Sequence, residues 1–144
     1  MVAIEDSGRV LSEEDIEAFE VRLGYALPET YRRFLQEHNG GRPAPDVIDI
    51  DGLPRGPTDV QEFFGLDCAL ETSNLDWNLR TLRDRVDERL LPIGCDSGDN
   101  IFCLSLHGPD RGSIIFCHFV ESKVSYYKVA RSFVEMLKQL RAFR

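Results

Sequence analysis

The sequence has 144 residues, of which 42% are hydrophobic and 29% are charged, and this length suits a single globular domain. No apolar run approaches the roughly 20 residues of a membrane-spanning helix, and the first residues lack the basic and apolar regions of a secretory leader. The net charge of −8 disfavours binding to nucleic acid through its phosphates. We therefore expect one domain over residues 1–144, with its core over about 12–140, in a cytoplasmic protein that binds neither membranes nor nucleic acid.

The negative charge is concentrated in the first half of the chain. Residues 1–76 contain 17 acidic and 6 basic residues, whereas residues 77–144 contain 8 acidic and 11 basic residues. The stretch from Asp46 to Asp76 contributes eight carboxylates against the single Arg55. An uneven distribution of this kind predicts an acidic surface on the folded protein.

The four cysteines predict neither a disulfide framework nor a metal site. Cys68, Cys95, Cys103 and Cys117 lie mostly in apolar stretches and include no Cys-x-x-Cys pair, the spacing that zinc sites commonly use. We expect free and mostly buried thiols, and we expect no cofactor.

Two helices are predicted near the N-terminus. Ser12 and Asp15 resemble a capping box, so the first helix should begin at Glu13, and Gly24 offers a left-handed residue to end it. Pro28 suits the first position of a second helix, which the run from Asn39 to Gly41 should end. The apolar residues at helical spacing, which we expect to be buried, are Ile16, Phe19, Leu23, Tyr31, Phe34 and Leu35.

The segment from residue 42 to 73 has a weaker pattern. The run 47–50 suggests an edge strand, while Val60, Phe63 and Phe64 fit a short helix and a short strand equally well. Periodicity returns from Asn74 to Glu88, which predicts a third helix. The apolar residues that repeat along this helix are Leu75, Leu79, Leu82 and Val86.

The stretch 90–106 predicts a β-hairpin. Two apolar runs flank the turn-forming residues 95–100, and a further apolar run over 113–119 follows another turn. Gly94 and Gly98 are expected at turn positions of the hairpin. Ile93, Ile101 and Phe116 are expected in the core.

The end of the chain predicts one more strand and one more helix. The run 126–129 suggests the strand, and Ser132 with Glu135 resembles a second capping box. Phe133, Leu137 and Leu140 should point inward from the helix. The expected fold is α+β: an antiparallel β-meander of three to five strands covered by an N-terminal helical hairpin, a middle helix and a C-terminal helix.

Two stretches resemble the signatures of a known family. The run 23–35, LGYALPETYRRFL, followed by NGGRP at 39–43, is similar to the N-terminal signature of the SUKH superfamily. The run 91–101, LPIGCDSGDNI, resembles its hairpin signature, and ARSF at 130–133 resembles its Ser-Phe start of the last helix. This superfamily groups yeast regulators of cell-wall glucan synthesis with many bacterial immunity proteins.

The resemblance implies binding rather than catalysis, because the shared motifs consist of Gly, Pro, Asn and apolar residues that serve turns and packing. One departure concerns the Asp-His-Glu run that family members often carry after the third strand. Here the corresponding run is Cys117-His118-Phe119, which keeps only the histidine. A role for the flanking acids therefore does not carry over, and a role for His118 stays open.

Catalytic and metal-binding alternatives have little support in the sequence. Cys117 beside His118, with Asp96 or Asp99 near in space, would suggest a cysteine hydrolase. Adjacent residues of a strand point to opposite faces, however, so this cysteine and histidine cannot pair. The acidic turn 96–100 lacks the closing glutamate of a calcium loop. We therefore predict no catalytic residues and no metal ligands.

The function that the resemblance implies is that of an immunity protein that binds and neutralises a cognate bacterial toxin. A regulatory interaction module of the yeast type is the alternative, and a cysteine-dependent hydrolase is a third reading. A toxin with a basic surface, such as a nuclease that grips phosphates, would suit an acidic counterpart. The candidate partner-binding residues are Asp46, Asp49, Asp51, Asp59, Glu62, Asp67, Glu71 and Asp76.

Overall fold

A computed structural model, which describes residues 2–143, shows an α+β fold around a five-stranded antiparallel sheet. The strands are β1 (Ala3–Glu5), β2 (Arg42–Ala44), β3 (Val47–Ile48), β4 (Thr58–Asp59), β5 (Glu62–Phe63), β6 (Leu90–Cys95), β7 (Ile101–Ser105), β8 (Ile114–Val120) and β9 (Lys123–Ala130). The helices are α1 (Glu13–Leu23), α2 (Glu29–Glu37), a 3-10 helix (Glu71–Ser73), α3 (Leu75–Leu82) and α4 (Phe133–Gln139).

The large sheet is a meander with the order β5-β6-β7-β8-β9, which confirms the predicted fold class. The region of Val60 to Phe64 supplies strand β5, which settles the choice between helix and strand. Strand β3 is shorter than the predicted run 47–50 and pairs with β4 in a small separate sheet. The sequence pattern missed β1 and β2, which pair with each other, because three-residue strands show too little alternation to be recognised.

Both faces of the large sheet are covered, since all five residues of β7 are buried. On one face the ring of Phe133 in α4 lies 4.6 to 5.2 Å from the rings of Tyr31, Phe34 and Phe63. On the other face α3 contacts β6, and the guanidinium of Arg85 lies 4.6 Å from the centre of the Phe119 ring. The predicted core residues are confirmed, because Ile93, Ile101 and Phe116 are at most 7% exposed.

The first capping box is confirmed. The Asp15 backbone N–H donates to the Ser12 hydroxyl at 3.1 Å, and the Asp15 carboxylate accepts from the Ser12 backbone N–H at 2.8 Å. Helix α1 therefore begins at Glu13, and Gly24 ends it in the left-handed conformation with a φ of 85°.

Several predicted boundaries are wrong by a few residues. Pro28 precedes α2 as its N-cap and is not its first helical residue. Helix α3 ends at Leu82 and not at Glu88, because the chain turns over residues 83–85 to enter β6. The second capping box forms only in part. Ser132 accepts from the Glu135 backbone N–H, but the Glu135 carboxylate accepts from the backbone N–H of Arg131.

Gly94 was expected in the hairpin turn, and this prediction is wrong. Gly94 lies within β6, where the pairing with β7 shifts register. A Cβ atom on this residue would lie only 2.7 Å from the Glu62 carbonyl oxygen, so the absence of a side chain lets β5 approach β6. Gly98 does lie in the turn, but the left-handed residue there is Asp99, with a φ of 65°.

The loop after α2 is held by Asn39, which is 3% exposed. Its side-chain N–H₂ donates to the carbonyl oxygens of Arg9 and Leu66, at 3.0 and 2.8 Å. Its Oδ1 accepts from the Leu66 backbone N–H at 2.7 Å, and its own carbonyl accepts from Gly8. One side chain therefore ties the N-terminal loop, the loop after α2 and the loop after β5 together.

Replacing Asn39 by alanine should destabilise the protein by about 3 kcal/mol, because buried groups of Leu66 would lose their hydrogen-bond partners. Urea-induced unfolding followed by circular dichroism measures this change. Gln139→Ala, at an exposed position of α4, is the control and should change the free energy of unfolding by less than about 0.5 kcal/mol. Equal effects at both positions would contradict the role assigned to Asn39.

Gly94→Ala and Gly98→Ala should differ in their effect on stability. The first change places a methyl group against the backbone of Glu62 and should cost about 1–3 kcal/mol. At Gly98 the nearest atom to an added Cβ is a side-chain nitrogen at 3.4 Å, so the second change should cost less than about 1 kcal/mol. Thermal unfolding of the two variants compares them directly. A larger loss of stability in Gly98→Ala than in Gly94→Ala would contradict the position of Gly94 within β6 and would favour the turn position expected from the sequence.

Candidate protein-binding surface

The eight predicted partner-binding residues fall in two parts of the molecule. The first part is the β3–β4 hairpin together with β5, and it carries the residues from Asp46 to Glu62. The second part is the segment from Asp67 to Asp76, which passes through the 3-10 helix into α3. The two parts meet at one pocket, which Glu62 and residues 68–73 line together.

Three of these eight carboxylates form ion pairs with arginines from distant parts of the chain. The pairs are Asp49 with Arg141, Asp67 with Arg9, and Asp76 with Arg22, with N–O distances from 2.7 to 3.2 Å. Each arginine offsets the charge of its partner, so these positions present less net negative charge than the sequence indicated. Their role in binding stays a prediction.

Asp59 is engaged in the fold as well. Its carboxylate accepts from the Ser97 backbone N–H at 2.9 Å and from the Ser97 hydroxyl. Next to it, the Thr58 hydroxyl donates to Asp96 at 2.7 Å. These contacts attach β4 to the turn between β6 and β7.

Asp96 organises that turn from inside. It is 3% exposed, and its Oδ1 accepts from the backbone N–H groups of Gly98 and Asn100, at 2.9 and 2.8 Å. Its Oδ2 accepts from Thr58 and from the Asn100 amide. Protein donors thus satisfy this carboxylate, which explains an acidic turn without a cation.

Four of the five remaining predicted acids, together with one acid of the hairpin turn, form the candidate site, which we call the acidic rim and define as Asp46, Asp51, Asp59, Glu62 and Asp99. The fifth, Glu71, is exposed on the 3-10 helix, and its role in binding stays a prediction.

Four of the rim residues are connected because β4 is bound to the β6–β7 turn, β5 pairs with β6, and the Asp46 carbonyl accepts from Val60. Asp51 lies farther along, in a pocket that β9 and α4 also line. Within residues 2–143, the side chains of Asp46, Asp51, Glu62 and Asp99 form no ion pair. The rim therefore carries acids without direct ion pairs, although Lys128, Arg131 and Lys138 line the same pocket as Asp51.

The sequence interpretation missed Asp99 as a rim residue. It assigned Asp99 to a turn and otherwise considered it only as the acid of a cysteine hydrolase, and the structure agrees with the turn. The contact between Ser97 and Asp59, which are 38 residues apart, brings this turn to the β3–β4 hairpin. No local pattern signals such a contact.

Comparison with known proteins identifies the family. The model of the SMI1 / KNR4 family (SUKH-1) matches residues 10–139. This chain belongs to the SUKH-1 family. The chain is also similar to the SPbeta prophage-derived uncharacterized protein YokK of Bacillus subtilis (strain 168), with 27% identity over 156 residues that cover 94% of this chain and 79% of the relative. Membership confirms the resemblance and supports a protein-binding domain of the immunity or regulatory kind.

The residues that carry the SUKH-1 resemblance have structural roles in this chain. Asn39 connects three loops, Gly94 admits β5, and Asp96 satisfies the hairpin turn. They account for the fold. The rim residues Asp46, Asp51, Asp59 and Glu62 lie outside the signature runs, whereas Asp99 lies within the run 91–101.

The geometry of Cys117 and His118 does not form a nucleophile and base. Cys117 is buried, with its Sγ 3.7 Å from the Sγ of Cys103. His118 occupies the opposite face of β8, with its ring centre 6.1 and 6.3 Å from those of Phe116 and Tyr127. The one histidine kept from the family run thus packs against aromatic rings.

Three of the four thiols of this SUKH-1 domain, those of Cys68, Cys95 and Cys103, are poorly suited to nucleophilic attack. Burial raises the pKa of the Cys103 thiol well above its usual value. Burial, followed by the nearby Glu62 carboxylate, raises the pKa of Cys95 to about 12. Burial also raises the pKa of Cys68. A thiol with a raised pKa stays protonated at neutral pH, and the thiolate is the reactive form.

In the part of the chain that the structure describes, no three His, Cys, Asp or Glu side chains are grouped so that they could hold a metal ion. Within the same residues, no helix is both long enough and apolar enough to cross a membrane.

Alkylation tests the state of the thiols. At pH 8 the folded protein should react with iodoacetamide at least about tenfold more slowly than the urea-unfolded protein, because the raised pKa values reduce the thiolate fraction. Mass spectrometry of the labelled peptides resolves the four cysteines. Rapid labelling of one cysteine in the folded protein would indicate an activated thiolate and would support the interpretation as a cysteine hydrolase.

Proposed function

We propose that this SUKH-1 protein is a bacterial immunity protein that binds a cognate toxin in the cytoplasm and blocks its action without catalysis of its own. Family membership supports a binding role of this kind. The similar protein is named as prophage-derived and comes from a bacterium. The arrangement of Cys117 and His118 on opposite faces of a strand gives no support to catalysis.

The acidic rim is the observation that carries the proposal. Its carboxylates without ion pairs belong to a short hairpin and a tight turn that are fixed to each other and to the large sheet. Loops held on a rigid scaffold commonly carry recognition. A basic toxin surface, such as the cleft of a nuclease, would be attracted to this rim, and opposite potentials speed association.

Growth protection tests the function itself. A toxin domain found among the neighbouring genes and expressed from an inducible promoter should arrest growth, and co-expression of this protein should restore it. The purified proteins should form a stable complex in size-exclusion chromatography. Complex formation without protection would favour the regulatory alternative, and absence of both would reject the proposal.

The rim should act mainly on the association rate. The triple variant Asp46→Asn, Asp51→Asn and Asp99→Asn should slow association with the toxin domain by about tenfold at low salt and flatten its salt dependence. Asparagine tolerates the left-handed backbone of Asp99, so the melting temperature should hardly change. Surface plasmon resonance at several salt concentrations gives the rates.

The matched control for this experiment removes the same number of charges elsewhere. The triple variant Glu17→Gln, Glu37→Gln and Glu121→Gln changes exposed carboxylates outside the rim. It should slow association by less than about twofold, because screening limits the reach of distant charges. An equal slowing by both variants would show that total charge, and not the rim, steers the partner.

A further inference from the structure

A pocket of about 370 Å³ opens beside Glu62 of the acidic rim. We call it the rim pocket. Its walls are the loop after β1, the start of β2, strand β5 and the segment 68–73. The residues that decide its chemistry are Asp6, Arg42, Glu62, Phe63, Ala69 and Leu70.

The rim pocket combines an apolar wall with a carboxylate. Leu70 is 69% exposed, and the exposed Ala69 continues its apolar surface, whereas Phe63 is buried and adds little surface to the pocket. Glu62 is half-buried and forms no ion pair within residues 2–143, whereas Asp6 already lies 3.8 Å from Arg42. The pocket therefore offers apolar contact and one carboxylate that lacks a cation.

The walls of the rim pocket are fixed in place before any partner arrives. Asn39 connects the loop after β1 to the loop after β5. Asn74 accepts from the Cys68 backbone N–H and donates to the carbonyl oxygens of Cys68, Leu70 and Glu71. Preorganised walls reduce the entropy that binding must overcome.

We propose that the rim pocket receives a basic side chain of the partner, whose aliphatic stem packs on Leu70 and Ala69 and whose cationic end pairs with Glu62. The proposal rests on the proposed function for the source of that side chain, namely a toxin with a basic surface. It goes further by assigning one pocket and one carboxylate as the anchor of the complex.

The chemistry of the pocket favours a basic occupant. The only cation for an acidic side chain among the lining residues is Arg42, which already lies 3.8 Å from Asp6, and Glu62 would repel such a side chain. An apolar side chain would bury the Glu62 carboxylate without a partner, which is costly. Lysine and arginine match both parts, because they cover apolar surface with their stems and keep the charge at the tip.

A small probe tests the rim pocket without the toxin. N-acetyl-arginine amide, titrated into ¹⁵N-labelled full-length protein, should shift the backbone amide signals of Phe63, Ala69, Leu70 and Ser73. N-acetyl-citrulline amide has nearly the same shape but no charge, and it should bind at least about fivefold more weakly, as expected for the loss of one partly exposed ion pair.

Two variants and a matched control assign the contacts. Glu62→Gln should weaken binding of the arginine probe by about fivefold, and Leu70→Ser should weaken it for both probes. The double variant Val120→Ser and Glu121→Gln changes an exposed apolar residue and an exposed acid at the β8–β9 turn, and it should leave the probe affinity unchanged.

The outcomes separate this inference from the proposed function. Equal binding of both probes, shifts that centre elsewhere, or an unchanged affinity in Glu62→Gln would overturn the anchor pocket. Binding as expected, combined with failure of growth protection, would reject the immunity function and leave the pocket as a site for basic side chains. Protection without probe binding would keep the function and reject the pocket.

Discussion

The rest of this structure depends most on the hydrogen bonds that the side chain of Asn39 forms. It satisfies the backbone of Leu66 and of Arg9 at the same time, and those residues belong to loops that are far apart in sequence. Without the Asn39 side chain, the buried backbone N–H and C=O groups of these loops would lack hydrogen-bond partners. The Asn39 amide fixes these loops, and the loops position strand β5 and a wall of the rim pocket.

The surface potential of this domain depends on which acids form ion pairs rather than on the number of acids. Arg9, Arg22 and Arg141 each reach a carboxylate of the acidic segment from another part of the chain. Exposed pairs of this kind contribute little to stability, but they redistribute the surface potential. Within residues 2–143, acids without an ion pair lie at the rim and also elsewhere, as Glu17, Glu37 and Glu121 do. The group at the rim is the physical basis for proposing a basic partner.

The family signatures and the candidate binding residues serve different purposes. Gly94, Asp96 and Asn39 create close backbone approach and satisfy buried polar groups, and such requirements are common to any partner. The rim residues lie on the surface, where substitution costs little stability. A domain built in this way can keep its fold while its binding surface changes.

Much of the fold could be predicted from the sequence. The capping box at Ser12, the termination at Gly24, the apolar faces of the helices and the runs of β6, β7 and β8 depend on neighbours within a few residues, so local patterns reveal them. The same holds for the burial of Ile93, Ile101 and Phe116. Two short signature runs also indicated the family, because they are unusual combinations of turn residues.

Only the tertiary structure could decide the rest. The pairing of β1 with β2 and the place of Gly94 depend on strands that meet across long stretches of chain, and no periodicity records such a meeting. The same is true of the candidate site, where Asp99 joins Asp59 through Ser97 while Asp49, Asp67 and Asp76 meet distant arginines. The sequence determines how many charges the chain carries. The contribution of each charge to the surface potential depends on its neighbours in space, and only the folded structure determines those neighbours.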